Sequence, residues 1–248
     1  MEAFIGLDLS LNHWAMVVQL PGWEIGDEES ILGYFVTNVK KFTTTNSTAT
    51  AHYLTKKAKG MDKDNYQIRR IQESLDHLLA SLDDITVKNK QALTLYVAME
   101  GYSYQSVSSS SAQSAELAGH VKMNLFSRWN ASLPTYLRIH DPRSVKMFGT
   151  GNGNATKRMM YKEFSVSAPP VVQSLVPPAL FVEKKKDIDG PGTDLVDAYY
   201  LSQMCKVEHF VRQGVYTLEK LPEAQRRIFL RVTKTNPVNL LARQYITV

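Results

Sequence analysis

A chain of 248 residues with 44% hydrophobic and 21% charged residues has enough apolar material for a sizeable core and too much for a disordered chain. No stretch approaches the ~18 continuous apolar residues of a membrane span, Met1–Asp8 lacks the basic region of a secretory signal, and the lone Cys205 excludes an internal disulfide framework and a cysteine-based zinc cluster. The formal net charge of +5 permits an acidic partner without requiring one.

The elements follow in chain order. Residues 3–9 (AFIGLDL), 13–20 (HWAMVVQL) and 31–38 (ILGYFVTN) predict three short strands in an antiparallel meander. A tight Ser10-Leu11-Asn12 turn joins the first two, and Pro21-Gly22 and Gly26-Asp27 separate the second from the third. The Thr- and Lys-rich residues 43–62 show no period and read as a mobile loop. Ile68, Ile71, Leu75, Leu78, Leu79 and Leu82 then fall at helical spacing, which predicts an amphipathic helix over 64–83 with a core-facing stripe. Residues 92–99 (ALTLYVAM) form an apolar run ending at Glu100, the pattern of a strand buried on both faces. A serine-rich loop over 101–110, a helix over 111–130 and a strand over 134–139 come next.

Residues 149–157 (GTGNGNATK) form a Gly/Asn turn leading into a helix near 155–164. The proline-rich residues 165–193 read as a long irregular excursion. A last helix runs from about Thr193-Asp194 to Val211, with Thr193 as its expected N-cap. This order predicts an α/β fold with a mixed five-stranded sheet flanked by helices. The expected organisation is one domain over 1–212, with insertions at 43–62 and 165–193, and a basic C-terminal extension over 213–248.

Charge placement says more than charge total. Beyond Glu223 there is no side-chain carboxylate, while Arg226, Arg227, Arg231, Lys234 and Arg243 follow. Further clusters are Lys56-Lys57-Ala58-Lys59 and Lys184-Lys185-Lys186. Such blocks either contact phosphates or are plain solvated surface.

Four carboxylates stand out. Asp8 and Glu100 each end an apolar strand, where a buried, unpaired charge is costly. Asp194 and Asp197 are three apart at a helix start and share a face. Each has a bland alternative: Asp8 opening a turn, Glu100 pairing with a buried lysine, the aspartates favouring a helix N-terminus. Together they can meet only around positive charge, and an all-oxygen donor set suits magnesium or manganese.

At this point the chain resembles the RuvC family of Holliday-junction resolvases. Four segments carry the resemblance in the family's order: Ile5-Gly6-Leu7-Asp8; Val97-Ala98-Met99-Glu100 with its following Ser/Ala-rich helix; Val145-Lys146 with Gly149–Lys157; and Asp194-Leu195-Val196-Asp197-Ala198. The resemblance implies an RNase H-like fold, a homodimer, branched DNA (a four-way junction) as substrate, and a DNA endonuclease cut that leaves 5′-phosphate and 3′-hydroxyl ends. It implies two Mg2+ ions, with Mn2+ as a substitute, held by Asp8, Glu100, Asp194 and Asp197. Lys146 and Lys157 match the family's lysine pair for DNA contact and catalysis, with Asn152, Asn154 and Arg158 beside them as DNA contacts.

The departures are also plain. Leu9-Ser10 follows Asp8 where the bacterial family has Pro-Gly, and Ser103 stands where the family has a phenylalanine wedge, so Tyr102 or Tyr104 is the expected base-stacking group. The added segments are of the kind that a divergent bacteriophage resolvase carries. A cytoplasmic location is expected, that of the host if the chain is viral, with no membrane and no small-molecule cofactor. The alternatives are a broader branched-DNA or flap endonuclease acting before packaging, a nuclease-dead junction-binding module, and an actin-like kinase or ATPase. The last begins with a similar strand but needs a duplicated domain and a second phosphate-binding turn, which this chain lacks.

Overall fold

A computed structural model describes residues 1–10, 13–20, 30–44, 47–88, 93–101, 109–129, 133–234 and 236–247. The chain opens with β1 (Glu2–Asp8), β2 (Ala15–Leu20) and β3 (Ser30–Thr37), followed by a short helix α1 (Lys40–Thr43) and β4 (Thr50–Tyr53). Then come α2 (Lys63–Lys88), β5 (Thr94–Glu100), α3 (Ser109–Asn124) with a π-turn over Leu125–Trp129, and β6 (Thr135–His140). The second half holds α4 (Pro142–Thr150), α5 (Lys157–Ser167), α6 (Pro170–Gln173), a hairpin of β7 (Val182–Glu183) and β8 (Ile188–Asp189), α7 (Pro191–Arg212) and α8 (Glu223–Leu230).

The main sheet has six strands in the order β4-β3-β2-β1-β5-β6. Only β2 is antiparallel to its neighbours; β1, β3, β4, β5 and β6 share one direction. A β3-β2-β1 meander continued by two parallel crossover strands is the RNase H-like arrangement. The sixth strand, β4, corrects the five-stranded expectation. It lies inside the stretch read as a mobile loop, pairs parallel with β3, and is followed by the buried Leu54, whose N–H donates to the Thr37 carbonyl at 2.8 Å. Its sequence, TAHY, is half-exposed and short, so it lacks the apolar alternation that marks a strand.

Alternation along the strands splits the core into two layers. Ala3, Ile5, Leu7, Val97 and Met99 face α2 and α3, among Leu78, Leu82 and Leu117. Phe4, Tyr96 and Ala98 face the other way, toward α7, α4 and α5, among Val145, Phe164, Leu195 and Ala198. Helices thus cover both faces, as a largely parallel sheet requires.

Other expectations need adjustment. The α2 helix runs five residues past Asp83, and Ile68 is exposed while Ile71, Leu78, Leu82 and Ile85 carry the core stripe. Residues 165–193 are not an irregular excursion: Val172, Leu175, Val176 and Leu180 are buried against the core. Nor is Thr193 an N-cap. Gly190 takes that position, at φ 106°, with Pro191 opening the helix; Thr193 lies inside the first turn and donates its hydroxyl to the Gly190 carbonyl at 2.8 Å. The described residues after Arg212 return to the sheet: Phe229 and Leu240 are buried in the α7-side core, and Ile246 pairs with Leu137 of β6. Among the described residues, no helix is long and apolar enough to cross a membrane.

Candidate active site

Asp8 and Glu100 end neighbouring parallel strands. Leu7 pairs in register with Met99, so the next residue on each strand is the carboxylate, and alternation puts both on the α7 side of the sheet. What brings α7 there is Gly6. A Cβ at Gly6 would stand 1.9 Å from the Ala198 carbonyl oxygen and 2.5 Å from the Ser202 amide nitrogen, both backbone atoms of α7. Only a glycine lets the helix lie directly on β1. The buried Gln19 amide pins the same contact by donating to Ser202 Oγ at 2.6 Å. Asp194 stands one turn before Ala198 and Asp197 immediately before it, both close enough to Asp8 and Glu100 to repel their charges. The motifs Ile5-Gly6-Leu7-Asp8 and Asp194-Leu195-Val196-Asp197-Ala198 are therefore the two halves of one helix–strand contact.

The lysines arrive on a helix–turn–helix. α4, which the sequence reading did not identify, starts at the Asp141 cap, whose carboxylate accepts from the Arg143 and Ser144 amides at 3.2 Å each, with Pro142 in the first turn. It ends on Gly151 in the left-handed region at φ 74°. Asn152 Oδ1 then accepts from the Asn154 amide at 3.0 Å, and Thr156 caps α5 by accepting from the Met159 amide at 3.2 Å. Lys146 on α4 and Lys157 at the start of α5 thereby flank the Gly/Asn turn. Lys157 Nζ lies 3.0 Å from Thr193 Oγ1 and 3.5 Å from both Asp194 Oδ1 and Asp189 Oδ1.

Electrostatics tie these groups into one cluster. Burial pushes the Asp8 carboxyl well above its ordinary range, and Glu100, Asp194 and Asp197 push it further. Glu100 is raised by burial to about 7, against the pull of Lys146 and Lys157. Asp197 is raised by burial, with Glu100 adding to it, to about 8, and Lys157 and Lys146 again oppose. Asp194 is raised by burial despite Lys157 and His13. Burial disfavours the Lys157 ammonium, but Asp194, Asp8, Asp197 and Asp189 together hold its proton more tightly than usual. Four carboxylates face two lysines, so the cluster is short of positive charge.

That shortage, and a donor set made only of oxygens, fits a divalent cation such as Mg2+ or Mn2+, which Asp8, Glu100, Asp194 and Asp197 could hold. Among the described residues, no three His, Cys, Asp or Glu groups converge in finished metal-ligating geometry. The fit is thus one of chemistry and charge.

Asp187 and Asp189, just upstream of α7, secure the start of α5. The Asp187 carboxylate accepts from the backbone amides of Lys157 at 3.2 Å and Arg158 at 2.8 Å, which closes the N-terminus of α5. Asp189 pairs with Lys157 and with Lys184. The β7–β8 hairpin therefore holds Lys157 in place. The Arg158 guanidinium is engaged by Glu183 at 2.5 Å, away from the carboxylates. Asn152 and Asn154 are exposed on the turn, and Tyr102 and Tyr104 fall outside the described residues.

No protein-family model and no curated relative matches this sequence. Among solved structures, the chain is similar to Thermus thermophilus RuvC at 15% identity and a TM-score of 0.45, covering 86% of this chain and 96% of that one. It is also similar to T. thermophilus RuvC in complex with a Holliday junction substrate, at 15% identity and a TM-score of 0.42, covering 83% and 94% respectively.

Proposed function

We propose that this chain is a metal-dependent DNA endonuclease that hydrolyses phosphodiesters at branch points, with the four-way junction as its substrate and a homodimer as its working form. The observation that carries this reading is the carboxylate cluster: Asp8, Glu100, Asp194 and Asp197 held together by β1, β5 and α7, with Lys157 and Lys146 beside them. Divalent ions bound there supply Lewis-acid activation of water and stabilisation of the leaving oxygen.

The chain's own groups do the rest. The carboxylates orient the attacking water in line with the scissile P–O3′ bond. Lys157, locked by Thr193, Asp194 and Asp189, offsets charge that builds on the phosphoryl oxygens, and Lys146, whose charge reaches Glu100 and Asp197, adds to it. Water's oxygen bonds to phosphorus as one of its protons passes to solvent, the P–O3′ bond breaks, and the departing 3′ oxygen takes a proton from solvent to become a hydroxyl. The products are a 5′-phosphate and a 3′-hydroxyl. A two-fold dimer would place two such sites across a junction for paired nicks.

The test is cleavage of a labelled four-way junction with Mg2+ or with EDTA, run beside flaps, Y-forms and RNA–DNA hybrids. The parent protein cuts the junction only with metal, and Asp8→Asn and Glu100→Gln abolish cutting while junction binding survives. Junction cleavage by Asp8→Asn at the parental rate would sink the assignment, and faster cutting of flaps would replace the junction as substrate.

A further inference from the structure

Beside the carboxylate cluster lies a groove with α4 and its Gly/Asn turn on one wall and the C-terminal segment on the other. It consists of two adjoining cavities of about 740 Å³ and 770 Å³ that share Arg143, Asn154 and Arg231. The inner cavity reaches Lys146 and Arg243, and the outer one ends between Arg226 and Arg227 on α8. The single carboxylate in the lining is Asp141, and its oxygens are committed to capping α4.

The groove's cations are not neutralised from within. Among the described residues, Arg227 alone of these has a carboxylate within 4.0 Å, Glu223 at 3.9 Å and exposed. An assembly of like charges costs folding energy through repulsion, so it calls for an external anion. The charges are spread along both cavities rather than aimed at one point, which suits a polymer of phosphates better than a single one.

The wall is anchored at both ends, by the buried Ile228 and Phe229 of α8 before Arg231 and by backbone contacts around Arg243. Arg138 donates to the carbonyls of Gln244 at 2.9 Å and Arg243 at 3.1 Å, and Arg212 donates to those of Leu240 at 2.9 Å and Arg243 at 2.7 Å. Tyr245 sits against both guanidinium groups, at 4.7 Å and 5.0 Å from its ring centre. The basic end of the chain is thus a built surface. Lys146 belongs both to this groove and to the cluster around Glu100 and Asp197.

We propose that this groove is a track for the sugar–phosphate backbone of a DNA duplex, leading one arm of the substrate to the carboxylate cluster. The identity of the polyanion rests on the nuclease reading; the groove and its charge do not. Contacts of this kind position DNA without reading its sequence.

The experiment measures anisotropy of fluorescent duplex and four-way junction DNA across a salt series in EDTA. Arg226→Gln/Arg231→Gln is compared with Lys185→Gln/Lys186→Gln, which removes the same charge from an exposed loop. Melting curves confirm that both variants are folded. The groove variant should bind about tenfold more weakly near physiological salt, with a log–log salt slope shallower by about 1.8, roughly 0.9 for each lost phosphate contact. The loop variant should keep the parental slope. Equal behaviour of the two variants, a parental slope in the groove variant, or no DNA binding by the parent overturns the track. Cleavage with Mg2+ judges the nuclease reading separately. Binding through the groove without cutting would keep the track and remove the nuclease, and cutting with an unchanged slope would do the reverse.

Discussion

The two ends of α7 carry charge clusters built on opposite terms. At the C-terminal end, Glu208 is fully buried, yet it accepts from Arg138 at 2.6 Å and 3.1 Å and from Arg212 at 2.8 Å and 2.9 Å. Both guanidinium groups also donate to backbone carbonyls of the C-terminal segment. Every charge there has a partner of opposite sign or a hydrogen bond. At the N-terminal end, Asp194 and Asp197 join Asp8 and Glu100, and two lysines do not balance them. The first cluster is closed and holds the fold together. The second is held in place by the fold against its own repulsion, which is the condition of a site that awaits positive charge.

The contrast predicts opposite signs for similar substitutions. Glu208→Gln leaves two guanidinium groups uncompensated in the interior and should cost about 3–5 kcal/mol, read from denaturant unfolding. The C-terminal segment should loosen with it, so proteolysis after Arg231 should accelerate. Asp197→Asn does the reverse. It removes a like charge from a crowded site and should stabilise the metal-free protein by about 1 kcal/mol, allowing for solvent screening of a partly open site. A destabilised Asp197→Asn protein would mean that this cluster, too, is structural.

The pH dependence sharpens the same point. Glu100 near 7 and Asp197 near 8 lie above the ordinary carboxylate values they regain on unfolding. From about pH 4 to 8 the folded state therefore binds more protons, and stability falls as pH rises. His52 near 4 and His140 near 3, both lowered chiefly by burial, act in the other sense, because the unfolded chain takes up their protons below about 6.5. The clean window is pH 6.5–8.5, where the metal-free protein should lose on the order of 1 kcal/mol. Millimolar Mg2+ should flatten that slope, and Asp197→Asn should reduce it without metal. A flat profile in EDTA would show that neither burial nor mutual repulsion raises these carboxyls in the folded protein.

Much of this was legible from local pattern. Strands β1, β2, β3 and β5 are apolar runs, and Asp8 and Glu100 are conspicuous because each ends one. α4 was hidden by its length and its charges, although Asp141-Pro142 at one end and Gly151 at the other are ordinary start and stop signals. The β4 strand had no such signal. Long-range partners could not be read at all. Gly6 looks like any strand glycine until Ala198 is known to lie on it. Arg138 and Glu208 are 70 residues apart, and their other partners are backbone carbonyls, which leave no mark in a sequence.

The smallest expected effect concerns Asp187, which lies 30 residues from the amide of Lys157 that it receives. Burial opposes its ionisation, but the amides of Arg158, Ile188 and Lys157 together outweigh it and hold its carboxyl below the ordinary range. Asp187→Ala removes a cap from α5 and should cost about 0.5–1 kcal/mol, readable as a small drop in melting temperature. Thr156 still caps the helix, so the fold survives. Lys157, however, loses the carboxylate that fixes its backbone amide, while Thr193, Asp194 and Asp189 still hold its ammonium. Cleavage should therefore slow by more than the stability loss explains, with junction affinity unchanged, because the lysine acts on charge that develops only as the bond breaks. Unchanged cleavage would make the Asp187 contact with the α5 backbone purely structural and show that Thr193, Asp194 and Asp189 suffice to guide Lys157.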